Sequence, residues 1–252
     1  MAESLVRALG LASADPRVRA VVLTSSDADN RVFCAGMDLR EGGALPERAD
    51  RHRDQGGRVA LAVFRCAKPV VAAVNGSAVG VGITMTLGAN VRVASRDAKV
   101  GFVFGRRGFT LEACSSFFLP RLVGAARALH LVSTGAVYPA GHSLFGPLFS
   151  EVVAPDQVLP TALALAEDMA ANVSLLASRL MKDLIFRAPA SPEEAHLLES
   201  KIFHGLVLGP DAREGRESFL EKRQPDFQAT LDDAPEPYPW WPPVDVRVES
   251  KL

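Results

Sequence analysis

The feature that most constrains the fold is the stretch between Lys68 and Arg92, which contains no charged residue. It is long enough to cross a membrane as one helix, but Pro69, the pair Asn75-Gly76 and several further glycines interrupt it. Such residues favour turns over a continuous helix. The stretch therefore predicts a buried strand over "KPVVAAV", a turn at "NG" and a buried helix over "SAVGVGITMTLGAN", and no membrane span is expected.

Strands and helices alternate on both sides of this stretch. A helix over "SLVRALGLA" leads to a strand at 18–23 that is apolar on both faces, and a further helix is predicted at 47–66. Additional strands are predicted at "VRVAS", "AKVGFVF" and "LFSEVVA". After Leu111 the pattern is mainly helical, with later helices at 156–171, 174–187, 193–208 and 211–223. The order predicts an α/β fold with largely parallel strands, followed by a helical C-terminal third.

Composition and motif counts narrow the classes of function. The chain has 252 residues and a net charge of -1, which gives no general attraction to nucleic acid, so a nucleic-acid partner is not expected. The cysteines form no CxxC pair and the histidines no HExxH pattern, which argues against a metal site. The phosphate-binding and dinucleotide-binding glycine patterns do not occur either.

Two segments share a design of a buried strand, a turn of small residues and the start of a helix. They are 32–39 and 70–85. Free backbone N–H groups at such turns favour negative charge, and two turns that converge would form a hole for an oxyanion. The alternative is that Gly36, Gly80 and Gly82 only allow helices to pack closely on strands.

Three stretches together resemble the signature regions of the crotonase superfamily, the enoyl-CoA hydratases and isomerases. They are "FCAGMDL" at 33–39, "KPVVAAVNGSAVGVG" at 68–82 and "FVFGRRGFTLEACSSFFLPRLVG" at 102–124. The resemblance extends from about Val18 to about Phe227, with matching spacing between the motifs. It implies a crotonase-type spiral of ββα turns with a helical C-terminal trimerisation region. It also implies a homotrimer or hexamer that binds an acyl-CoA thioester, with coenzyme A entering as part of the substrate and no separate cofactor.

The resemblance also assigns residues. The thioester oxygen, as an enolate, would be bound by the backbone N–H groups of Met37 and Val81. The substrate-binding positions that it implies are Ala35, Asp38, Leu39, Arg40 and Gly82. Asp38 has an alternative interpretation as a simple helix N-cap.

The predicted acid–base residue is Glu112, in "TLEACSS". Hydratases of the family carry two glutamates, at positions that here are Thr84 and Phe104, and neither side chain can take a proton from water. Glu112 instead matches the single carboxylate of the family's isomerases, which occurs in a similar "PEGCSS" or "PEACSS" stretch. The alternative for Glu112 is a carboxylate placed to interact with a helix dipole.

One carboxylate favours Δ3–Δ2 isomerisation of an enoyl-CoA. A single base can take a proton from the α-carbon and return it at the γ-carbon, whereas hydration is easier with two groups. The alternatives are an enoyl-CoA hydratase and a non-catalytic paralogue that binds acyl-CoA. The second is suggested by the missing glutamates and by the N-terminus, because the family usually has two further strands before the first helix.

The resemblance implies an acyl-CoA-binding core at 1–190, without the family's usual first strands, and a helical assembly region at 191–230. A proline-rich tail is expected at 231–252. The tail is expected to be extended rather than packed, because prolines recur along it. Its last residues, Ser250, Lys251 and Leu252, match the peroxisomal import signal, so an import receptor is the expected partner and the peroxisome the expected location.

Overall fold

The computed structural model describes residues 1–40 and 52–246. The α-helices in these ranges are α1 (Ala2–Ala14), α2 (Gln55–Arg65), α3 (Val81–Thr84), α4 (Ser115–Val123), α5 (Ala125–Thr134), α6 (Val158–Asn172), α7 (Leu175–Phe186), α8 (Pro192–Val207) and α9 (Pro210–Glu221). The strands are β1 (Val21–Thr24), β2 (Val32–Cys34), β3 (Val70–Val74), β4 (Ser77–Val79), β5 (Val91–Ser95), β6 (Lys99–Gly101), β7 (Val137–Pro139) and β8 (Glu151–Val153). Within the described ranges, no helix is long and apolar enough to span a membrane.

The chain winds between two four-stranded sheets. The first has the order β1-β3-β5-β8 with all strands parallel, and the second has the order β2-β4-β6-β7 with only β7 antiparallel. Three successive pairs, β1 with β2, β3 with β4 and β5 with β6, each give one strand to each sheet. Helices α2 and α3 follow the first two pairs. The predicted α/β fold is confirmed, and its repeating unit is a ββα turn.

Strand β3 is buried on both faces because all of its residues are small and apolar. Side chains alternate between the two faces of a strand. Val70, Ala72 and Val74 accordingly belong to the main core, while Val71 and Ala73 pack against α6. The strand predicted from the uncharged stretch is therefore the centre around which helices are placed on both sides.

The predicted helix over residues 77–90 is wrong in part. Ser77–Val79 forms strand β4 instead, and the helix that follows is the single turn Val81–Thr84. Gly80 separates the two with a positive φ of 57°, which is favourable only for glycine. The error is one of periodicity, because a short apolar run fits a strand and a helix equally well.

Two other boundaries differ from the sequence prediction. The first strand begins at Val21 rather than at residue 18. The helix predicted at 47–66 begins at Gln55, since Asp54 ends the preceding extended segment as its N-cap. Residues 47–51 of that prediction lie outside the described ranges.

Strand β7 was not predicted, because three residues ending in a proline show no alternation to detect.

The expectation of an unpacked tail is wrong for the part that the structure describes. Tyr238 and Trp240 pack against a small apolar cluster of α7 and α8. The Tyr238 hydroxyl donates to Asp183 Oδ2 at 3.0 Å, and the Trp240 Nε1–H donates to the carbonyl of Arg187 at 3.0 Å. Aromatic residues between the prolines thus attach the segment to the fold. The predicted import signal at 250–252 lies outside the described residues.

Candidate active site

Two glycine-containing turns lie side by side because the strands that precede them are neighbours. Strands β2 and β4 pair in parallel, with Cys34 opposite Ala78, so their carboxyl ends reach the same edge of the sheet. A Cβ atom at Gly36 would lie 3.0 Å from the carbonyl oxygen of Val79, and Gly36 has a φ of 99°. A Cβ atom at Gly82 would overlap the carbonyl of Cys34. The alternative role for these glycines, close packing, is therefore real, and it brings the two turns together.

The predicted oxyanion donors follow directly in these turns. Among the described residues, the backbone N–H groups of Met37 and Val81 have no hydrogen-bond acceptor. The Met37 side chain is exposed, and the Val81 side chain is half-buried. Unpaired N–H groups at the ends of two adjacent parallel strands are available to a bound oxyanion. Their role in catalysis remains a prediction.

The predicted substrate contacts after Met37 are at the surface. Ala35, Leu39 and Arg40 are exposed. Asp38 accepts hydrogen bonds from the backbone N–H and the guanidinium of Arg40, which lower the pKa of the Asp38 carboxyl. Both side chains are thus paired with each other beside the first turn, and Gly82 lies buried beside the second.

Glu112 lies in the loop that leads into α4, and its carboxylate points toward the second turn. Glu112 Oε1 accepts a hydrogen bond from Thr84 Oγ1 at 2.6 Å. A Cβ atom at Gly56 would overlap Glu112 Oε2 and would lie 2.7 Å from the Val81 Cγ2 atom. The carboxylate, Val81 and the first turn of α2 therefore meet at one point. The structure brings the predicted base next to the side chain of Val81, the residue whose backbone N–H is one of the predicted oxyanion donors.

The surroundings of Glu112 favour its protonated form more than water does. Burial raises the pKa of the Glu112 carboxyl, the Thr84 hydrogen bond lowers it in part, and the negative charge of Asp54 raises it further. No ion pair to Glu112 exists within residues 1–40 and 52–246. A raised pKa makes the carboxylate a stronger base, and the proton that it takes up can be released again to the substrate.

Asp54 is a site residue that the sequence did not reveal. It caps α2 by accepting the N–H of Gly57, and the same oxygen accepts the N–H of Ala113 at 3.2 Å. Ala113 and Cys114 both have positive φ angles, 52° and 56°, directly after Glu112. Asp54 therefore holds a strained segment that fixes the position of the carboxylate. An N-cap signal was present, but the predicted helix boundary placed Asp54 inside the helix.

Phe104 occupies the other position where a hydratase of the family carries glutamate. Its ring is buried in the main core, and a Cβ atom at Gly80 would lie 3.9 Å from it. This wall of the site is thus apolar, and no group at Phe104 can exchange a proton. Groups of side chains able to hold a metal ion are not found among the described residues.

Comparisons with known proteins show similarity in sequence and in fold. The sequence profile described as enoyl-CoA hydratase/isomerase matches residues 1–230. Enoyl-CoA hydratase AFT3-1 of Alternaria alternata is 49% identical over 233 residues, which cover 92% of this chain and 78% of the relative. Enoyl-CoA hydratase of Mycobacterium smegmatis has a solved structure with a TM-score of 0.77 and 31% identity, covering 91% and 88% of the two chains. Enoyl-CoA hydratase of Bacillus anthracis gives a TM-score of 0.79, 29% identity and coverage of 90% and 88%.

Proposed function

Because the chain belongs to the enoyl-CoA hydratase/isomerase family, we propose that it moves the double bond of an enoyl-CoA thioester from Δ3 to Δ2. The observation that carries this proposal is the half-buried carboxylate of Glu112 beside Val81, because Thr84 and Phe104 stand at the two positions where hydratases of the family carry glutamate. One proton-carrying group is sufficient for an isomerisation in which the proton leaves and returns to the same substrate.

The reaction has two proton transfers. Glu112 takes a proton from the α-carbon, and the electron pair of the broken C–H bond spreads over the double bond and the thioester carbonyl as a dienolate. The N–H groups of Met37 and Val81 donate to the oxygen of this dienolate. Removal of one such donor typically lowers kcat by about 10²–10³-fold. Glu112 then delivers the proton to the γ-carbon, which leaves a 2-enoyl-CoA and restores the carboxylate.

The substrate is the thioester itself, and coenzyme A enters with it. Exposed residues Ala35, Leu39 and Arg40, with Asp38, lie after β2 on the side of the first turn, where an acyl-CoA would approach Met37. Gly82 keeps the second turn close to the first. These positions are therefore the proposed coenzyme A contacts.

Hydration is the second candidate, and the names of the relatives favour it, since the Alternaria protein is described as an enoyl-CoA hydratase. Hydration requires one group to activate water and one to protonate the α-carbon. Asp54 is a second carboxylate near Glu112, and its negative charge raises the pKa of Glu112. However, its Oδ1 already accepts two backbone N–H groups, so this oxygen is engaged in holding α2 and Ala113.

Turnover of matched substrates decides between the candidates. Purified protein is assayed with 3-enoyl-CoA and 2-enoyl-CoA of several chain lengths, with Glu112→Gln as the control. Isomerisation faster than hydration, with loss of both in the variant, supports the proposal. Faster hydration of 2-enoyl-CoA would replace it by the second candidate. Calorimetric binding of acyl-CoA without turnover would indicate the non-catalytic paralogue.

Self-association is part of the proposed function. Helices α8 and α9 carry large exposed apolar side chains, including Phe203 at 69% and Phe219 at 82% exposure. Covering such side chains in a homotrimer or hexamer removes apolar surface from water. Sedimentation at micromolar concentration should show no stable monomer. A variant with Phe203 and Phe219 replaced by Ser should dissociate, and an unchanged sedimentation coefficient would remove these helices from the interface.

Peroxisomal import through Ser250, Lys251 and Leu252 is proposed from the sequence alone. A fluorescent fusion that leaves these residues free should enter peroxisomes, and removal of the three residues should abolish entry. A fusion that remains in the cytosol in both forms would contradict the proposal.

A further inference from the structure

The Thr84 hydroxyl donates to the carboxylate of the predicted base, and two acceptors compete for its one hydrogen. The residue is fully buried in α3. Its Oγ1 lies 2.6 Å from Glu112 Oε1 and 3.3 Å from the carbonyl oxygen of Gly80. A hydroxyl has a single hydrogen to donate, so it can serve only one of the two acceptors at a time.

The protonation state of Glu112 decides which acceptor is favoured. A hydrogen bond to an ionised carboxylate is roughly twice as strong as one to a neutral oxygen, so the hydroxyl donates to Glu112 when the carboxylate is charged. When a proton is bound on Oε2, the oxygen away from Thr84, Oε1 becomes a neutral acceptor. The competing carbonyl of Gly80 then gains a share of the hydroxyl hydrogen, in the i to i−4 pattern common for threonine in a helix.

The carbonyl of Gly80 and the N–H of Val81 belong to the same peptide group. A hydrogen bond accepted by the carbonyl polarises this group and makes its N–H a stronger donor, typically by about 10–30% per bond. That carbonyl already accepts the N–H groups of Ile83 and Thr84 at 3.1 Å. The Thr84 hydroxyl would add a third donor, at the stage when Glu112 holds the proton.

From this geometry we infer that Thr84 is a positioning residue that couples proton gain by Glu112 to the strength of the oxyanion donor at Val81. The inference rests on the proposed function, in which the dienolate exists only while Glu112 carries the proton. In the resting state, Thr84 favours the charged carboxylate that acts as the base. In the intermediate, Thr84 strengthens the group that binds the dienolate oxygen.

The test uses Thr84→Val, which preserves the branched shape in a buried position, and Thr84→Ser, which preserves the hydroxyl. The matched control is Thr86→Val, since Thr86 is equally buried and, among the residues that the structure describes, its hydroxyl donates only to the carbonyl of Ile83. Loss of the Thr84 hydrogen bond raises the pKa of Glu112, so the acid limb of kcat/KM should move to higher pH in Thr84→Val. Its kcat on the plateau should fall about tenfold. In Thr84→Ser and Thr86→Val, the acid limb of kcat/KM should stay at the pH of the wild type.

Binding of acetoacetyl-CoA tests the coupling without turnover, since its acidic α-proton allows the enolate to form on the protein. Thr84→Val should bind it about tenfold more weakly while its affinity for saturated butyryl-CoA stays unchanged. Equal affinities of wild type and Thr84→Val for acetoacetyl-CoA, or an unmoved acid limb, would overturn the inference. If Thr84→Val does not fold, Thr84→Ala removes the same hydroxyl and carries the same expectations. A wild-type protein that binds acetoacetyl-CoA but turns over no enoyl-CoA would contradict the proposed function and leave the binding test decisive for Thr84.

Discussion

Two carboxyl groups of this chain, the buried Asp183 and the half-buried Glu112, have opposite surroundings. Asp183 on α7 is fully buried and accepts two hydrogen bonds from the guanidinium of Arg179, at 2.8 and 3.1 Å, and one from the Tyr238 hydroxyl. Arg187 adds a second cation at 3.4 Å. Glu112 is half-buried and accepts one side-chain hydrogen bond, from Thr84, with no ion pair among the residues that the structure describes.

The difference separates a structural region from a chemical one. The charge of Asp183 is compensated on several sides, and Arg179 also donates to the carbonyls of Phe64 and Cys66, so this cluster joins α7 to the main core. Glu112 lacks such compensation, and its pKa is raised. A group that must take up and return a proton needs a pKa suited to both steps, whereas a group that joins helices does not.

Glu112→Gln should have the largest effect on the chemical region. The amide has the same size and can still accept from Thr84, but it cannot act as a base, so kcat should fall by about 10²–10⁴-fold. Affinity for saturated acyl-CoA should be unchanged, because the proposed oxyanion donors are backbone groups. Deuterium uptake at the α-carbon in D₂O should disappear as well. Isomerisation at the wild-type rate would remove Glu112 from the mechanism.

The same variant should not destabilise the fold. A carboxyl whose pKa is raised on folding binds its proton more tightly in the folded state, so stability falls as pH rises from the ordinary carboxyl pKa through the folded one. Glutamine does not titrate, so the variant lacks this loss of stability. Urea unfolding should be measured from about pH 4, near the ordinary carboxyl pKa, up to neutral pH. The free energy of unfolding of Glu112→Gln should rise relative to that of the wild type as the pH increases.

Asp183→Asn should lower stability and leave activity unchanged, which is the reverse of the effects expected for Glu112→Gln. Loss of this charge leaves Arg179 buried without its carboxylate, which typically lowers the free energy of unfolding by about 3–5 kcal/mol. At temperatures where the variant is folded, kcat/KM should stay near wild type. Asp97→Asn, at an exposed position, is the control and should change neither quantity. A variant that is stable but inactive would contradict the division into two regions.

Tyr238→Phe tests whether the tail belongs to the structural region. The ring and its packing remain, while the hydrogen bond to Asp183 is lost, so the free energy of unfolding should fall by about 1–2 kcal/mol. Activity should not change. Urea unfolding indistinguishable from wild type would show that the tail adds no stability through this contact.

Asp54→Asn should have the smallest effect, on the pH profile. The amide oxygen can still cap α2 and accept the N–H of Ala113, but the negative charge is removed. Because Asp54 raises the pKa of Glu112, the acid limb of kcat/KM should move to lower pH. This direction is opposite to that expected for Thr84→Val. An acid limb that moves to higher pH would show that Asp54 acts through the position of Glu112 rather than through its charge.

Sequence reasoning identified the elements better than their contacts. The apolar run of β3 and the helical C-terminal third were predictable because their patterns are local. The adjacency of Met37 and Val81 depends on parallel pairing of β2 with β4, which the shared motif design suggested. The catalytic roles of these residues and of Glu112 remain predictions.

What the sequence did not reveal depends on distant contacts. Thr84 was interpreted as a missing glutamate, but its hydrogen bond to Glu112 spans 28 positions and follows from the position of α3. Asp54 joins α2 to Ala113 across 59 positions. The tail was predicted as extended because prolines dominate its composition, while its packing depends on two aromatic side chains that meet α7 and α8 only in the folded chain.

The ββα spiral has a consequence for how quickly the chain can fold. Two of the three strand pairs in the first sheet join strands that are far apart in sequence, as Val21 pairs with Val70 and Val93 with Glu151. Each of these pairings closes a loop of about fifty residues or more, and the loss of chain entropy comes before the contacts that offset it. Refolding should therefore be slow, on the order of milliseconds to seconds or longer, with partly paired strands exposed on the way.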